Sequence, residues 1–484
     1  GLFDTLLASQ LVSAGEAEDR HGLQVVAERY LGVTVDKSQQ LSDWGGQLSE
    51  AQLEYAARDA ALMLPLRRVL VERLKGDGLG RCAQLEFECV APIADVELAG
   101  VYLDRQCWRE LLTGIGKRRD VLSAELQDAL AEESAQFSFF GPTRAEINLD
   151  SHVQLTKALT RIGVPVPDST RNWKLEPLAA DYPIVGKLLE YRTAQKALKF
   201  GEALMEASDN HEGLSRIHAS FHQIGAPTGR MACTDPNIQQ VPHATDYRRC
   251  FRAPAGRKLI IADYSQIELR ILAHVTEDEG FVSAFQSGAD LHRVTAAQVF
   301  GVKLEEVTPE QRSFAKRLNF GVVYGIGANR FALLTGLSVT EAEDLLRRYF
   351  QTYRKLDAWL REAAQRAVRE RTARTLSNRL ARFNFDPADK QAVSLAQRNG
   401  KNTPIQGSSA DIIKRALRLL HDELRGGTAR IVNVVHDEIV VEADAGEAEA
   451  VAVKVREAMC AAGEEYVKRV PVKVETEVAD EWVK

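Results

Sequence analysis

Residues 430–442, Arg-Ile-Val-Asn-Val-Val-His-Asp-Glu-Ile-Val-Val-Glu, constrain the fold more tightly than any other stretch of the chain. Two β-branched apolar runs flank a polar triplet, the pattern of a tight hairpin carrying its polar residues at the tip. Both runs are apolar at nearly every position, so the sheet they enter is covered on both faces. Two adjacent acids, Asp437 and Glu438, then stand at the tip of a buried hairpin. They are either solvated turn residues or metal ligands, and the residues alone leave both readings open.

A second strand points the same way. Leu259 to Ala262 is a continuous apolar run, and Asp263 sits where it ends. A helix follows at once, with Ser265 as its expected cap and Glu268 three residues on, the spacing of a capping box. A carboxylate at the end of a packed strand is well placed for a metal ion; turn and cap chemistry is the plain alternative. Arg312, Lys316, Phe320 and Tyr324 are each four apart, so on a helix successive members drift only about 40° and form one stripe. Two cations followed by two aromatics suit a triphosphate at one end and a base at the other. An amphipathic helix with snorkelling basic side chains gives the same pattern. Asn402 and Gln406 lie one turn apart if Pro404 and Gly407 allow a helix there. Their amides suit base edges or sugars, or simple turn chemistry.

At 484 residues the chain exceeds one core and should divide into three or four units. A net charge of −6 does not exclude nucleic acid, because phosphate binding needs a local basic face. No apolar run reaches the ~18 residues of a membrane span, and Gly1 to Gly15 lack the pattern of a secretory signal. With no initiator Met, the chain reads as a piece of something longer. The six cysteines include no close pair and are expected as reduced thiols, neither disulfides nor a zinc site. Residues 1–80 read as α/β leading into a helix over 49–74, with apolar positions Leu53, Ala57, Ala60, Leu64 and Leu66. Pro65 should kink or divide it. Residues 86–200 read as amphipathic helix with a polar break over 137–150, the form of an arm or bundle. Short β-type runs begin near Ile217, helices return over 291–375, and the end is mixed.

Taken together these stretches resemble the family A DNA polymerases, of the bacterial DNA polymerase I large-fragment type. Asp-Tyr-Ser-Gln-Ile-Glu-Leu-Arg at 263–270 matches the first palm motif, and Val435-His436-Asp437-Glu438 the second. Arg312, Lys316, Phe320-Gly and Tyr324-Gly match the fingers helix. Thr228-Gly229-Arg230, Thr234 to Asn237, Leu291-His292-Arg293 and Asn402 through Gln406-Gly407 match in order and spacing, from about residue 86 to the end. The resemblance implies an α+β, multidomain right-hand polymerase whose palm is an antiparallel sheet with helices behind it and whose fingers and thumb are helical. The expected division is an exonuclease-like domain over 1–85, thumb 86–205, palm 206–290 and 401–484, and fingers 291–400.

It also implies roles. Asp263 and Asp437 would hold two Mg²⁺ ions roughly 3.5–4 Å apart, with Mn²⁺ as a possible substitute, Tyr264 lending its carbonyl and Glu438 an accessory acid. One ion would lower the pKa of the primer 3′-hydroxyl, and the other would neutralise the triphosphate and leaving pyrophosphate. Arg312, Lys316 and His292 would grip phosphates, with Lys316 protonating the leaving group. Glu268 would crowd a ribose 2′-hydroxyl, Gln266 would join the nucleotide site, Phe320 implies discrimination against dideoxynucleotides, and Tyr324 would stack at the template position. Arg230, Arg398, Asn402, Gln406 and His436 would touch primer–template DNA, largely in the minor groove. Tyr191, Arg192, Lys196 and Lys199 set basic residues along a thumb helix, for phosphate or as a solvated face. The implied partners are primer–template DNA and deoxynucleoside triphosphates, for a monomer of the bacterial nucleoid or phage-infected cytoplasm, off the membrane.

Residues 1–81 resemble the C-terminal part of the family's 3′–5′ exonuclease domain, a ribonuclease H-like, ribonuclease D-related fold. Leu41 to Trp44, Leu48 to Gln52, and Tyr55 with Asp59 carry the likeness. The other metal-binding acids of such a nuclease would lie upstream of Gly1, so no proofreading is expected of these residues. A ribonuclease D-type nuclease and a non-catalytic DNA-binding module are the competing readings. The missing ligands weigh against the first, and the retained Asp263, Asp437, Arg312 and Lys316 against the second.

Overall fold

A capping box opens the first long helix, α1 (Glu50–Gly76): Ser49 and Gln52 satisfy each other's backbone reciprocally. The computed structural model describes residues 1–14, 20–138, 141–211, 214–323 and 325–483. Tyr324 therefore lies outside the described residues. Of the two expected effects of Pro65, division does not occur, and α1 runs through it. The cap at one end and buried Leu66, Leu70 and Leu74 at the other hold the helix through the lost hydrogen bond. The apolar row proposed for its first half is not core: Leu53 is 54% and Leu64 65% exposed. Burial begins only where the early residues Leu11, Val12 and Val26 pack against the helix's second half. The next helix, α2 (Gly80–Ala99), carries the fully buried Glu86.

Two compact units form. One comprises Gly1–Gly100, Ala219–Gln240 and Ala253–Asp480; the other comprises Val101–His218, Val241–Arg252 and Glu481–Lys484. The second unit is built on a helix pair, α3 (Arg105–Leu130) and α4 (Pro183–Ala207). Leu122, Leu126 and Leu130 meet Leu188 and Tyr191 in its core. Trp108 is fully buried and donates its indole N–H to the Gly201 carbonyl at 2.9 Å. The break expected over 137–150 holds an antiparallel strand pair, Glu132–Ser138 with Gly141–Ala145. On α4, Arg192 turns to the Thr170 carbonyl and Asn172, while Lys196 and Lys199 stay exposed. The basic row is thus two exposed lysines, because the guanidinium finds backbone partners nearby.

In the first unit the sheet comes from β1 (Arg257–Tyr264) and three later strands. Between them run α5 (Ile267–Thr276), α6 (Leu291–Phe300), α7 (Pro309–Val323), α8 (Arg354–Glu370) and α9 (Lys390–Leu424). The strands β2 (Arg430–Val435) and β3 (Glu438–Asp444) follow, then α10 (Ala448–Glu464) and β4 (Val474–Ala479). The sheet order is β2-β3-β1-β4 with every neighbour antiparallel. The apolar runs are buried as their composition requires, from Leu259 to Ala262 in β1 and from Ile439 to Val441 in β3. Tyr264 anchors one face by donating its hydroxyl to the Met459 carbonyl of α10 at 2.6 Å. Helix α9 runs unbroken for 35 residues through Pro404 and Gly407, so Asn402 and Gln406 do lie one turn apart. Gly407 is required there: a Cβ would stand 2.8 Å from the Thr228 carbonyl oxygen and 2.5 Å from Thr375. Among the described residues no helix is long and apolar enough to cross a membrane.

Candidate active site

The two strand ends singled out in the sequence meet. Val435 pairs with Glu438, leaving His436 and Asp437 as a two-residue turn, with His436 at φ 55°. Glu438 is then the first residue of β3 and lies directly opposite Asp263 on β1. Cross-strand partners share a sheet face, so these two carboxylates sit side by side. The turn is tied to the same strand end by the Tyr264 N–H, which donates to the Asp437 carbonyl at 3.3 Å. Burial raises the Asp437 carboxyl, the charge on Asp263 raises it further, and together they push it up to about 7. A hard divalent cation relieves that repulsion and takes oxygen donors, so the donor set fits one. Glu475 of β4 also stands opposite Asp263, a third acid in the row that the sequence reading did not single out.

The helix after Asp263 departs from its expected start. Its N-cap is Gln266, at φ 57°, with no side-chain cap bond, so Ser265 and Glu268 form no capping box. Glu268 is instead buried and accepts from the Arg230 guanidinium at 2.5 Å. A charge-assisted bond to a cation outcompetes a neutral backbone donor, which explains the failure of the cap. Arg230 is held in turn by what packs behind its loop. Gly229 has φ 83°, and a Cβ there would stand 2.5 Å from Arg379 Nε. Its carbonyl accepts from Lys414 Nζ at 2.8 Å. Lys414 and Arg379 both pair with Glu86, and Arg379 also with Asp411, all four fully or almost fully buried.

On α7, Arg312 and Lys316 are exposed and Phe320 half-buried, as the one-face spacing requires. Arg312 donates to Asp290 at 2.6 Å. Asp290 also caps α6 through the backbone N–H groups of His292 and Arg293. Burial alone would raise the Asp290 carboxyl, yet the hydrogen bond from Arg312 and the other donors hold it below the usual carboxylate range. His292 is buried, its ring 5.6 Å from that of Phe320. Burial lowers its pKa, and with Arg312 and Lys316 nearby it falls to about 4 despite Asp290. Asn319 Nδ2 lies 3.0 Å from His292 Nδ1, and Asn319 is braced by Thr295, which also meets Tyr353. With Nδ1 accepting from Asn319, the neutral ring presents Nε2–H as a donor.

On α9, Arg398 is exposed, whereas Asn402 and Gln406 are partly buried. The side-chain oxygens of Asn402 and Gln266 are buried with no hydrogen-bond partner among the described residues. Such atoms are rare in a stable interior and mark places where an incoming group can bond. Asn402, Gln406 and Thr228 also line one cavity of about 610 Å³ with Phe383 and Asn399. Asp290, Asn319, Arg379, Asp411, Lys414 and Glu86 were not singled out from sequence. Each is an ordinary polar residue in a helix or loop until the fold gives it its partners.

The family model for DNA polymerase family A matches residues 117–484. The chain belongs to DNA polymerase family A. It is a DNA-directed DNA polymerase, of a family that depends on divalent metal ions. A 3′–5′ exonuclease model matches residues 1–75. DNA polymerase I of Aquifex aeolicus is 34% identical over 100% of the chain and 84% of its own length. The thermostable DNA polymerase I of Thermus aquaticus is 34% identical over 91% of the chain and 52% of its own length. The chain therefore spans about half of the Thermus relative. Among solved structures, the POL domain of Pol1 from M. smegmatis, in complex with DNA primer-template and dNTP, superposes with a TM-score of 0.86. That match has 29% identity and covers 99% of this polymerase and 81% of that chain. The antiparallel sheet and surrounding helices are thus those of a family A polymerase domain.

Proposed function

We propose that the chain adds deoxynucleoside triphosphates to a primer 3′-hydroxyl along a DNA template, by a two-metal nucleotidyl transfer centred on Asp263 and Asp437. The observation that carries this reading is the meeting of those two acids at one sheet end, where the charge on Asp263 disfavours that of Asp437. Asp263, Asp437 and the Tyr264 carbonyl would hold two Mg²⁺, or Mn²⁺ in their place, with Glu438 an accessory acid. When bound, such ions supply activation of the primer hydroxyl and neutralisation of the triphosphate and pyrophosphate.

The chain's own residues bind, orient and move protons. Lys316, exposed on α7, donates to the triphosphate and protonates the leaving pyrophosphate. Arg312 exchanges Asp290 for phosphate oxygens, and neutral His292 donates Nε2–H to them. Phe320 packs on the nucleotide, and Tyr324, outside the described residues, would by the family pattern stack at the template position. Glu268, fixed by Arg230, excludes a 2′-hydroxyl, and Gln266 offers its unpartnered amide oxygen to the incoming nucleotide. Asn402, Gln406, Arg398, Arg230 and His436 contact the primer–template minor groove, whose degenerate acceptors let pair geometry be checked without reading sequence. In this reading residues 86–205 are thumb, 206–290 and 401–484 palm, 291–400 fingers, and 1–85 an exonuclease-like domain. The protein acts as a monomer in the bacterial nucleoid or the phage-infected cell.

The test is extension of a 5′-labelled primer on a DNA template with Mg²⁺ and all four deoxynucleotides, beside Asp437→Ala. Extension by the unmodified chain alone, with DNA binding retained in the variant, is expected. Full-rate extension by Asp437→Ala would remove the two-metal assignment. Shortening of the primer when nucleotides are withheld would contradict the expectation that residues 1–85 do not proofread.

A further inference from the structure

Two of the six cysteines stand together in the second unit, and neither is given a part in synthesis. Cys107 lies in the first turn of α3, and Cys250 just follows the short helix Thr245–Arg248. Their sulfur atoms are 2.6 Å apart. The backbones that carry them are fixed to each other. The Asp104 N–H donates to the Cys250 carbonyl at 2.8 Å, Leu103 bridges Phe251, and Asp104 accepts from the Cys107 N–H at 3.0 Å. The neighbouring rings of Trp108, Phe251 and Trp482 interlock edge to face, so neither backbone is free to withdraw. Unbonded sulfurs do not rest this close, and a covalent bond needs a separation of about 2.05 Å. Cys82, Cys89 and Cys233 are buried elsewhere, and Cys460 faces the Val472 carbonyl.

We propose that Cys107 and Cys250 form a reversible intrachain disulfide when the protein meets a low-molecular-weight disulfide, making the pair a redox modification site. Cys107 is partly exposed at the start of α3 whereas Cys250 is buried, so Cys107 meets the small disulfide and attacks first. Its thiolate displaces one thiolate from the small disulfide and forms a mixed disulfide. Cys250, losing its proton to solvent, then attacks Cys107 Sγ and expels the second small thiolate. Two protein thiols are oxidised and one small disulfide is reduced to two thiols, a two-electron exchange. The bond ties α3 to the segment after residue 248 and closes a loop between positions 143 residues apart. Burial raises the Cys250 thiol well above its ordinary value, consistent with its acting second.

The experiment incubates the 484-residue protein with oxidised and reduced glutathione at a series of ratios. Samples are quenched with acid, alkylated, digested without reduction and analysed by mass spectrometry. The expected product is a Cys107–Cys250 linked peptide, lighter by two hydrogen atoms, with Cys82, Cys89 and Cys233 unlinked. In C250S the expected product is glutathione held on Cys107. The oxidised protein should also melt above the reduced protein, a shift that C107S and C250S both lack. Glutathione accumulating on Cys107 of the unmodified chain, or a linked peptide from another pair, would overturn the proposal. So would full alkylation of both thiols at every ratio, and these readouts on the unmodified chain stand even if a variant does not fold.

Discussion

Two clusters of charge in the same compact unit behave in opposite ways. Glu86, Arg379, Asp411 and Lys414 are wholly buried, and each charge faces an opposite one; Thr375 and Ser377 also donate to Asp411. Asp263 and Asp437 face each other with like charge, while Lys316 is exposed and Gln266 and Asn402 keep unpartnered oxygens. The first arrangement pairs every charge, although Arg379 Nη1 is left without a hydrogen bond of its own. The second, in the proposed function, is where a metal–triphosphate and a base pair would bind. Burial and charge alone do not mark a site; like charges held together do. The closed cluster still serves the open one, since Lys414 and Arg379 fix Gly229 and so set Arg230 beside Glu268.

The comparison breaks if the clusters exchange their effects. Lys316→Ala should lower single-turnover nucleotide incorporation by about 10²–10⁴-fold, the usual worth of a general acid, with little change in melting. A normal rate with a depressed melting point would put Lys316 in the scaffold. Glu86→Ala leaves two cations buried together and should cost about 3–5 kcal/mol in denaturant unfolding. An unchanged unfolding midpoint would mean that the cluster is solvated. His292 belongs to both worlds, being buried yet turned toward Arg312, Lys316 and Asp290. Its folded pKa of about 4 lies below the ordinary value of about 6.5, so the unfolded chain binds the extra proton first. Stability is present above 6.5 and falls as pH drops toward 4, by about 3 kcal/mol in all. A pH series of unfolding midpoints for the unmodified chain and His292→Gln should differ across that window; parallel curves would contradict the lowered pKa. The smallest expected effect is at Glu268. Its replacement by Ala should raise ribonucleotide over deoxynucleotide incorporation about 10–200-fold, the range for removing a small steric block. An unchanged ratio would return Glu268 to a purely structural part.

What the sequence made legible was local chemistry repeated at regular spacing. The apolar runs 259–262 and 431–435 with 439–441 are strands, paired antiparallel with their acids at one end. The four-residue stripe does lie on a helix through Phe320, and Asn402 and Gln406 share a turn. Long-range competition was not legible. The capping box at Ser265 and Glu268 was lost to Arg230, 38 residues earlier, and Arg192 was lost to Thr170. Leu53 and Leu64 fit a helical period but found no partner to bury them. Asn319 carried no pattern at all, since its importance lies in facing His292 Nδ1.

The central claim is that Asp263 and Asp437 together hold the divalent ions of the reaction. Electron paramagnetic resonance counts bound Mn²⁺ directly in a complex with primer–template and a non-hydrolysable deoxynucleotide. Two ions per chain are expected for the unmodified protein, and at least one fewer for Asp437→Asn with DNA affinity unchanged. Equal counts in the two proteins would contradict the account.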